Sequence, residues 1–462
     1  MRLATVGILF GLAIGGTNFA HGDDWPPALK GAKDGTVTIK SDLFVKTPEF
    51  IPNPRKKGEV VGTPVPYTVA KTAPTVAFAY HRDLGPDADK RRLWSNWGDI
   101  CLASDGAVYV GLGDHGNDVG GDARCYIYRW DPKREVLERV VDMNEVVPLQ
   151  KGQPAWSKVH AKIDEAPDGG ILFCCTLNDG NRASKPDYHW NENLPGGQIY
   201  RYDPKTGKTA VFANLPPKRC TATSLFDKEH GIWWCNLEAG EGALWAFDVN
   251  TKKTVFQAEE GTMGFNRAFA LAKDGAIYFN GKDSIWKYDP LKKSIAPTKT
   301  KWENTPGMRS ASRESKDGWI YGTTHTSGQL FRYKPADDKL EMLGHNWQTG
   351  DYVTVCELSP DERFLYYMPG AHGQAFRTGT PVLQYEIATG KRKVIAFLAP
   401  AMEKEIDYVP AGTYGVKISA DGSTLYVNFN GHPGEMSRPK TMKPIGFGLT
   451  GFAAIHIPAS ER

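Results

Sequence analysis

One unit recurs along this chain, and its repetition limits the possible folds more than any other feature. Each copy reads as an apolar strand, an Asp-Gly turn, a strand rich in Ile, Tyr or Phe, a variable loop, an aromatic-rich strand, and an Asp-Pro or similar turn before a last strand. The tightest copy is AFALAKDGAIYFNGKDSIWKYDPLKKSI. Others begin at ICLASDGAVYVGLGDHG, AKIDEAPDGGILFCC, TATSLFDKEHGIWWC, SASRESKDGWIYGTT, VTVCELSPDERFLYYMPGAHG and YGVKISADGSTLYVNFNGH. Gly accepts the positive φ of a tight reversal and Pro presets a turn dihedral, so these pairs mark strand-to-strand connections. Copies spaced at about 40–50 residues, with longer ones extended in the second loop, match the period of propeller blades. The pattern predicts an all-β, seven-bladed β-propeller of four-stranded blades. The 49 Gly, 31 Pro, 13 Trp, 19 Tyr and 20 Phe suit many short strands and tight turns.

The seventh copy supplies three strands before the sequence stops. An orphan strand, TVAFAYHRD, precedes the first copy. Donated to the last blade, this N-terminal strand closes the ring and covers an exposed sheet edge. Residues 75–462 are therefore assigned to the propeller. Residues 21–74, rich in Pro and Lys with little periodicity, form an N-terminal arm, read as either a lid over the channel or a packing belt; an eighth blade inside it is the structural alternative. Residues 1–20 read as a signal peptide, with Arg2 ahead of an apolar run from Leu3 to Ile14 and small residues up to Ala20. That run is shorter than the ~20 residues of a spanning helix. The expected location is secreted or periplasmic, the expected state a monomer, and no membrane span is expected.

A formal net charge of +3 without a Lys/Arg run gives no support to nucleic-acid binding. The seven cysteines show no CxxC spacing, so sequence-local zinc and haem signatures are absent. Cys220 and Cys235 fall on neighbouring strands of one hairpin and could bridge. Cys174 and Cys175, adjacent in a strand, must point to opposite faces.

Propeller geometry gives the copies a polarity. The Asp-Gly turns between strands A and B and the Asp-Pro turns between C and D share one face and are uniform. The B–C loops and the D-to-A connections share the other face and vary, and departures from a repeat on a rigid scaffold are where binding and catalysis reside. His115 closes strand B of the first copy, with His325, His372 and His432 in matching positions. Trp97, Asp99, His160, Arg219, Asn266, Arg267, Arg309, Tyr352 and Tyr414 stand where A strands begin. By contrast, Arg129, Arg201, Lys287 and Arg332 recur at one place on strand C and read as architecture.

The long B–C insertion of the second copy carries Tyr188, His189 and Trp190. Aromatic faces suit sugar rings, and arginines pair carboxylates bidentately. Neutralising a uronate carboxylate acidifies its α-proton for abstraction by His or Tyr, which is β-elimination. On the motifs GLGDHG, KVHAKI, YYMPGAHG and the Tyr188 insertion, the chain over residues 75–459 resembles secreted seven-bladed propellers that include the ulvan-lyase-type polysaccharide lyases. The resemblance implies a lyase acting on an acidic polysaccharide or oligosaccharide. It also implies a His/Tyr acid–base pair with an Arg neutraliser, matched in kind by His115 or His160, Tyr188 and Arg219. Trp97, Arg267, Arg309, Tyr352 and Tyr414 are the candidate substrate-binding residues.

Two further likenesses remain open. Oligogalacturonate-lyase-type propellers hold a divalent metal through several His and a Gln. His325 with Gln329 and His372 with Gln374, together with His432 or His115, are the candidate ligands here, suited to Mn or Zn. A gluconolactonase-type lactonase would need acidic and Asn ligands for Ca, for which Glu238, Asn280 and Asp99 are available. A non-catalytic binding scaffold is the remaining alternative.

Overall fold

The computed structural model describes residues 25–51, 65–91, 93–114, 123–147, 156–177, 196–238, 242–264, 266–303, 307–325, 328–348, 352–436 and 446–462. They form a seven-bladed β-propeller. Blade 1 comprises Cys101–Leu102, Val108–Asp114, Cys125–Asp131 and Val136–Asp142, from the axis outward. Blade 2 runs from Asp164–Glu165 to Lys208–Asn214, blade 3 from Ser224–Asp227 to Lys253–Gln257, and blade 4 from Ala270–Leu271 to Ser294–Lys301. Blade 5 runs from Met308–Ala311 to Lys339–His345, and blade 6 from Cys356–Leu358 to Arg392–Phe397. In blade 7 the strands Tyr408–Ile418, Thr424–Pro433 and Leu449–His456 are followed by Thr75–Tyr80, in antiparallel register from Thr75 opposite His456 to Tyr80 opposite Gly451. The N-terminal strand thus closes the ring.

The arm is a belt where it is described. Thr36–Lys40 adds a fifth strand outside Thr75–Tyr80, and Thr68–Val69 pairs in parallel with the outer strand of blade 6. Apolar side chains explain this placement: Phe44 and Leu29 are buried with Leu398, Ala401 and Met402 between blades 6 and 7. The repeat pattern concealed the helix Leu398–Ile406 that joins those blades, a stretch of good helix formers inside an otherwise strand-like sequence. Glu461 pins the belt: one carboxylate oxygen accepts the amides of Lys71 (2.8 Å) and Thr72 (3.1 Å), and the other accepts Lys393 Nζ (3.0 Å).

Among the described residues, no backbone ladder joins one blade's core strands to the next, and apolar side chains fill most of the space between them. Blades 1 and 2 share a cluster with Tyr109, Ile127, Trp156, Phe173 and Tyr200, and blades 2 and 3 one with Leu172, Phe226, Trp233 and Trp245. Burying one such aromatic is worth roughly 2–3 kcal/mol. Cys174 and Cys175 fall in these two separate clusters, on opposite faces of their sheet.

The turn face is uniform, as its sequence implies. Gly106, Gly169, Gly275, Gly318 and Gly422 all sit at φ between +72° and +86°. Asp131, Asp203 and Asp289 each accept a backbone amide two residues on, at 2.9–3.0 Å. The recurrent strand-C cations reach back to this face: Arg201 donates to Asp168 at 2.8 Å and Arg129 lies 3.8 Å from Asp105. Among the described residues, no helix is long and apolar enough to cross a membrane.

Candidate functional site

The inner strands reach the opposite face beside one another, and the side chains just before them converge on the channel. Blades 1 and 7 are fastened there by a side-chain pair. Asn96 N donates to Asn430 Oδ1 (2.7 Å), and Asn430 Nδ2 donates to Asn96 O (2.8 Å). Asn266 and Asn280 do the same for blades 4 and 5: Asn280 N donates to Asn266 Oδ1 (2.8 Å), and Asn280 Nδ2 to Met308 O (2.9 Å). These amides set the rim.

Inside the rim lies a cavity of about 90 Å³ whose wall includes Trp97, Asp99, His160, Lys162, Arg267, Arg309 and Tyr414. Trp97 is its platform. Its ring stacks on His160 (6.1 Å, 16°) and on Phe447 (5.3 Å, 18°), with Tyr414 at 5.1 Å and Lys158 Nζ 5.0 Å above it. Trp97 Nε1 donates to Ser95 Oγ at 2.6 Å, which fixes the ring plane.

His160 contacts Ala222 O through Nδ1 at 2.8 Å. A carbonyl only accepts, so Nδ1 carries the proton and Nε2 the lone pair. Burial, then the charges of Lys158 and Arg267, hold its pKa well below the usual histidine value, so it is a neutral base at pH 7. Arg309, 4% exposed, donates through Nε to the Tyr352 hydroxyl and through Nη1 to Thr354 O at 3.2 Å. Arg267 donates to Glu238 at 2.7 Å. Burial pushes the Tyr414 phenol far above its ordinary pKa, so it keeps its proton.

A second layer rims the first. The Tyr352 ring is 4.4 Å from that of His372 and 5.1 Å from that of His325. Burial, then Arg309 and Arg267, lower the His325 pKa to about 4. Trp97, His160, Arg267, Arg309, His325, Tyr352, His372 and Tyr414 therefore form one connected mouth.

Two predicted residues stand apart, and two fall outside the described residues. Arg219 is at the rim, where its guanidinium pairs with Glu260 and does not line the cavity. His432 is buried in blade 7 with its ring on Phe376 (5.6 Å) and Nδ1 on Pro433 O (2.8 Å). His115 and Tyr188 lie outside the described residues. Among the described residues no three His, Cys, Asp or Glu side chains gather as a metal-binding group. Of the three histidines suggested for a metal, His325 and His372 both pack on Tyr352, while His432 packs on Phe376 in the blade 6 loop that also carries His372. The residues suggested for calcium engage separate partners: Arg267 donates to Glu238, Asn280 donates to Met308 O, and Lys417 donates to Asp99. The Cys220–Cys235 bridge also fails, since Cys220 lies opposite Glu238 and Cys235 opposite Ser224.

The sequence reading missed the floor of the mouth. Lys417 Nζ donates to Asp99 Oδ2 (2.6 Å) and Glu357 Oε2 (3.2 Å), tying blades 7, 1 and 6 together across the channel. A second cavity of about 250 Å³ on this floor shares Asp99 and Lys162 with the first. Lys417 lies three residues beyond Tyr414 on one innermost strand, and Lys162 two beyond His160, which were the available signals.

No protein-family model and no curated protein sequence matches this chain. Solved structures do. An oligogalacturonate lyase in complex with manganese aligns with a TM-score of 0.50 at 11% identity, over 86% of this chain and 97% of that one. A chain of a mitotic checkpoint complex aligns equally well, with a TM-score of 0.50 at 10% identity over 86% and 94%. An enzyme and a checkpoint component matching alike means that the shared property is the architecture. This chain is a seven-bladed β-propeller whose chemistry must be read from its own channel mouth.

Proposed function

We propose that the channel mouth binds an acidic sugar and cleaves its glycosidic bond by β-elimination, making the protein a lyase of uronate-containing polysaccharides or oligosaccharides. One observation carries the reading: Arg267, Arg309, His160 and Tyr414 wall the same small cavity beside the face of Trp97. Arg309 and Arg267 neutralise the uronate carboxylate, which stabilises the carbanion formed at the adjacent carbon. His160 Nε2 takes the α-proton. The pKa of free His160 is depressed partly by Lys158 and Arg267, and a bound carboxylate offsets those charges, raising its basicity when substrate is present. Tyr414 donates its proton to the departing glycosidic oxygen, and Trp97 carries the neighbouring ring. The elimination leaves a carbon–carbon double bond conjugated to the carboxylate. Export to the cell exterior or periplasm, suggested by residues 1–20, would bring the mouth to such polymers, and the protein would act as a monomer.

A panel of uronate oligomers, followed by the ultraviolet absorbance of the unsaturated product, tests this reading. Turnover that is lost in both His160→Ala and Arg309→Ala, with folding intact, supports it. Binding without turnover would identify a non-catalytic scaffold, and neither binding nor turnover on any acidic sugar refutes the proposal.

A further inference from the structure

Cys125 and Cys175 belong to different blades, yet their sulfurs are in contact. Cys125 opens the third strand of blade 1, and Cys175 directly follows the second strand of blade 2; the two Sγ atoms are 3.7 Å apart. They are 0% and 2% exposed, within the apolar cluster that joins the two blades. Other cysteines are placed differently: the Cys356 thiol contacts Ser310 Oγ at 3.4 Å, and Cys220 and Cys235 face Glu238 and Ser224 across their ladders.

We infer that Cys125 and Cys175 are an oxidative cross-linking site, closing to a disulfide between blades 1 and 2 when the chain folds under oxidising conditions. A disulfide needs sulfurs about 2.05 Å apart, and side-chain rotation with a small backbone adjustment covers the difference. Cys175 itself lies outside any strand, between Ile171–Cys174 and Thr176–Leu177, and the pairing beyond it shifts register, so its backbone is not fixed by a ladder. The oxidant is a small-molecule or protein disulfide. One cysteine thiolate attacks it and releases one of its sulfurs as a thiol. The other cysteine thiolate then displaces the second sulfur. One S–S bond forms and one breaks; the two cysteine protons end on the oxidant's sulfurs, which take up the two electrons. With both thiols buried, exchange takes place before the blades dock.

The bond would add a covalent tie between two sheets that share an apolar cluster and, nearer the axis, the hydrogen bonds from Ser104 to Glu165. It would also sit at the root of two variable loops, since Cys125 follows residues 115–122, which include His115, and Cys175 precedes residues 178–195, which include Tyr188. The cross-link stands independently of the lyase reading.

Refolding the full chain in a glutathione redox buffer, then denaturing and alkylating without reduction, reads the site by mass. Five of the seven cysteines should be alkylated, rising to seven after reduction. Proteolysis should yield one linked peptide pair holding Cys125 and Cys175. The Cys125→Ala/Cys175→Ala variant should show five with and without reduction, and should lose the rise in Tm that oxidation gives the wild type. Seven alkylated cysteines in protein that has refolded in the redox buffer would overturn the inference, as would a linkage through Cys174, Cys220 or Cys235. If the variant does not fold, the wild-type count and linked peptide decide alone.

Discussion

Replacing Lys417 by methionine keeps most of the aliphatic stem but removes the cation that two inward-facing carboxylates share. Lys417, Asp99 and Glu357 have side chains only 13%, 15% and 28% exposed, with contacts of 2.6 and 3.2 Å. Coulomb attraction at 2.6 Å and an effective dielectric of 20 is about 6 kcal/mol before the desolvation that the ions also suffer. Measured losses on breaking such buried pairs are about 3–5 kcal/mol, because the remaining charge is left uncompensated. K417M should therefore lower unfolding free energy by about 3–5 kcal/mol, read from urea denaturation at neutral pH with m checked for constancy. The triple variant Lys417→Met, Asp99→Asn, Glu357→Gln removes all three charges and should recover most of that loss. Added salt should change the single-variant penalty little, since the groups are largely shielded from solvent. The folded pKa of Lys417 is raised by Asp99 and Glu357 against the opposing effect of burial, so its contribution is present below the unfolded lysine pKa and is lost only as pH rises above it. A single-variant cost under about 1 kcal/mol, or a triple variant no better than the single, would refute the view that this triad fastens the channel floor.

Acid should destabilise the fold through His81. Burial lowers its pKa from 6.5 to about 4, against the opposing backbone contact with Thr450, so the unfolded chain binds a proton that the folded chain refuses. Stability is then full above about pH 6.5 and falls as pH drops toward 4, by about 3 kcal/mol from this residue, and His81→Phe should flatten the stability–pH slope in that window by close to one proton. Trp97→Ala should cost at least tenfold in affinity for an acidic sugar while circular dichroism stays unchanged, because the ring is the platform of the mouth; equal affinity would remove it from the site. Glu461→Gln weakens the acceptor for Lys71 and Thr72 and removes the charge opposite Lys393. It should lower stability by about 1–3 kcal/mol and speed proteolysis within the arm, with a protease-resistance assay as the check.

The channel mouth was partly legible because its residues interrupt a repeat. Trp97, His160, Arg267, Arg309, Tyr352 and Tyr414 occupy places where a blade needs no particular side chain, and they do converge. Arg219 occupies an equivalent place but finds Glu260, a rim partner from the next connection. His432 lies inside the strand Thr424–Pro433, opposite Val409, whereas His325 directly follows Thr324 and His372 lies in the loop beyond Tyr367; the His432 ring is buried against Phe376 of that same loop. Sequence position fixes where a strand stops; the local bulges and the neighbouring blade decide where the ring turns.

The repeat by itself determined the architecture: the number of blades, the polarity of the two faces, and closure by residues 75–80. Each follows from local rules, namely strand alternation, turn chemistry and the intolerance of an open sheet edge. Only the tertiary structure decided which side chains meet across the axis. Lys417 with Asp99 and Glu357, and Cys125 with Cys175, join residues 318, 60 and 50 positions apart. No periodicity records such pairs, because they arise where separate blades approach one another. The arm's role was settled in the same way, by Phe44 and Glu461 finding partners on blades 6 and 7 that the linear pattern leaves unmarked.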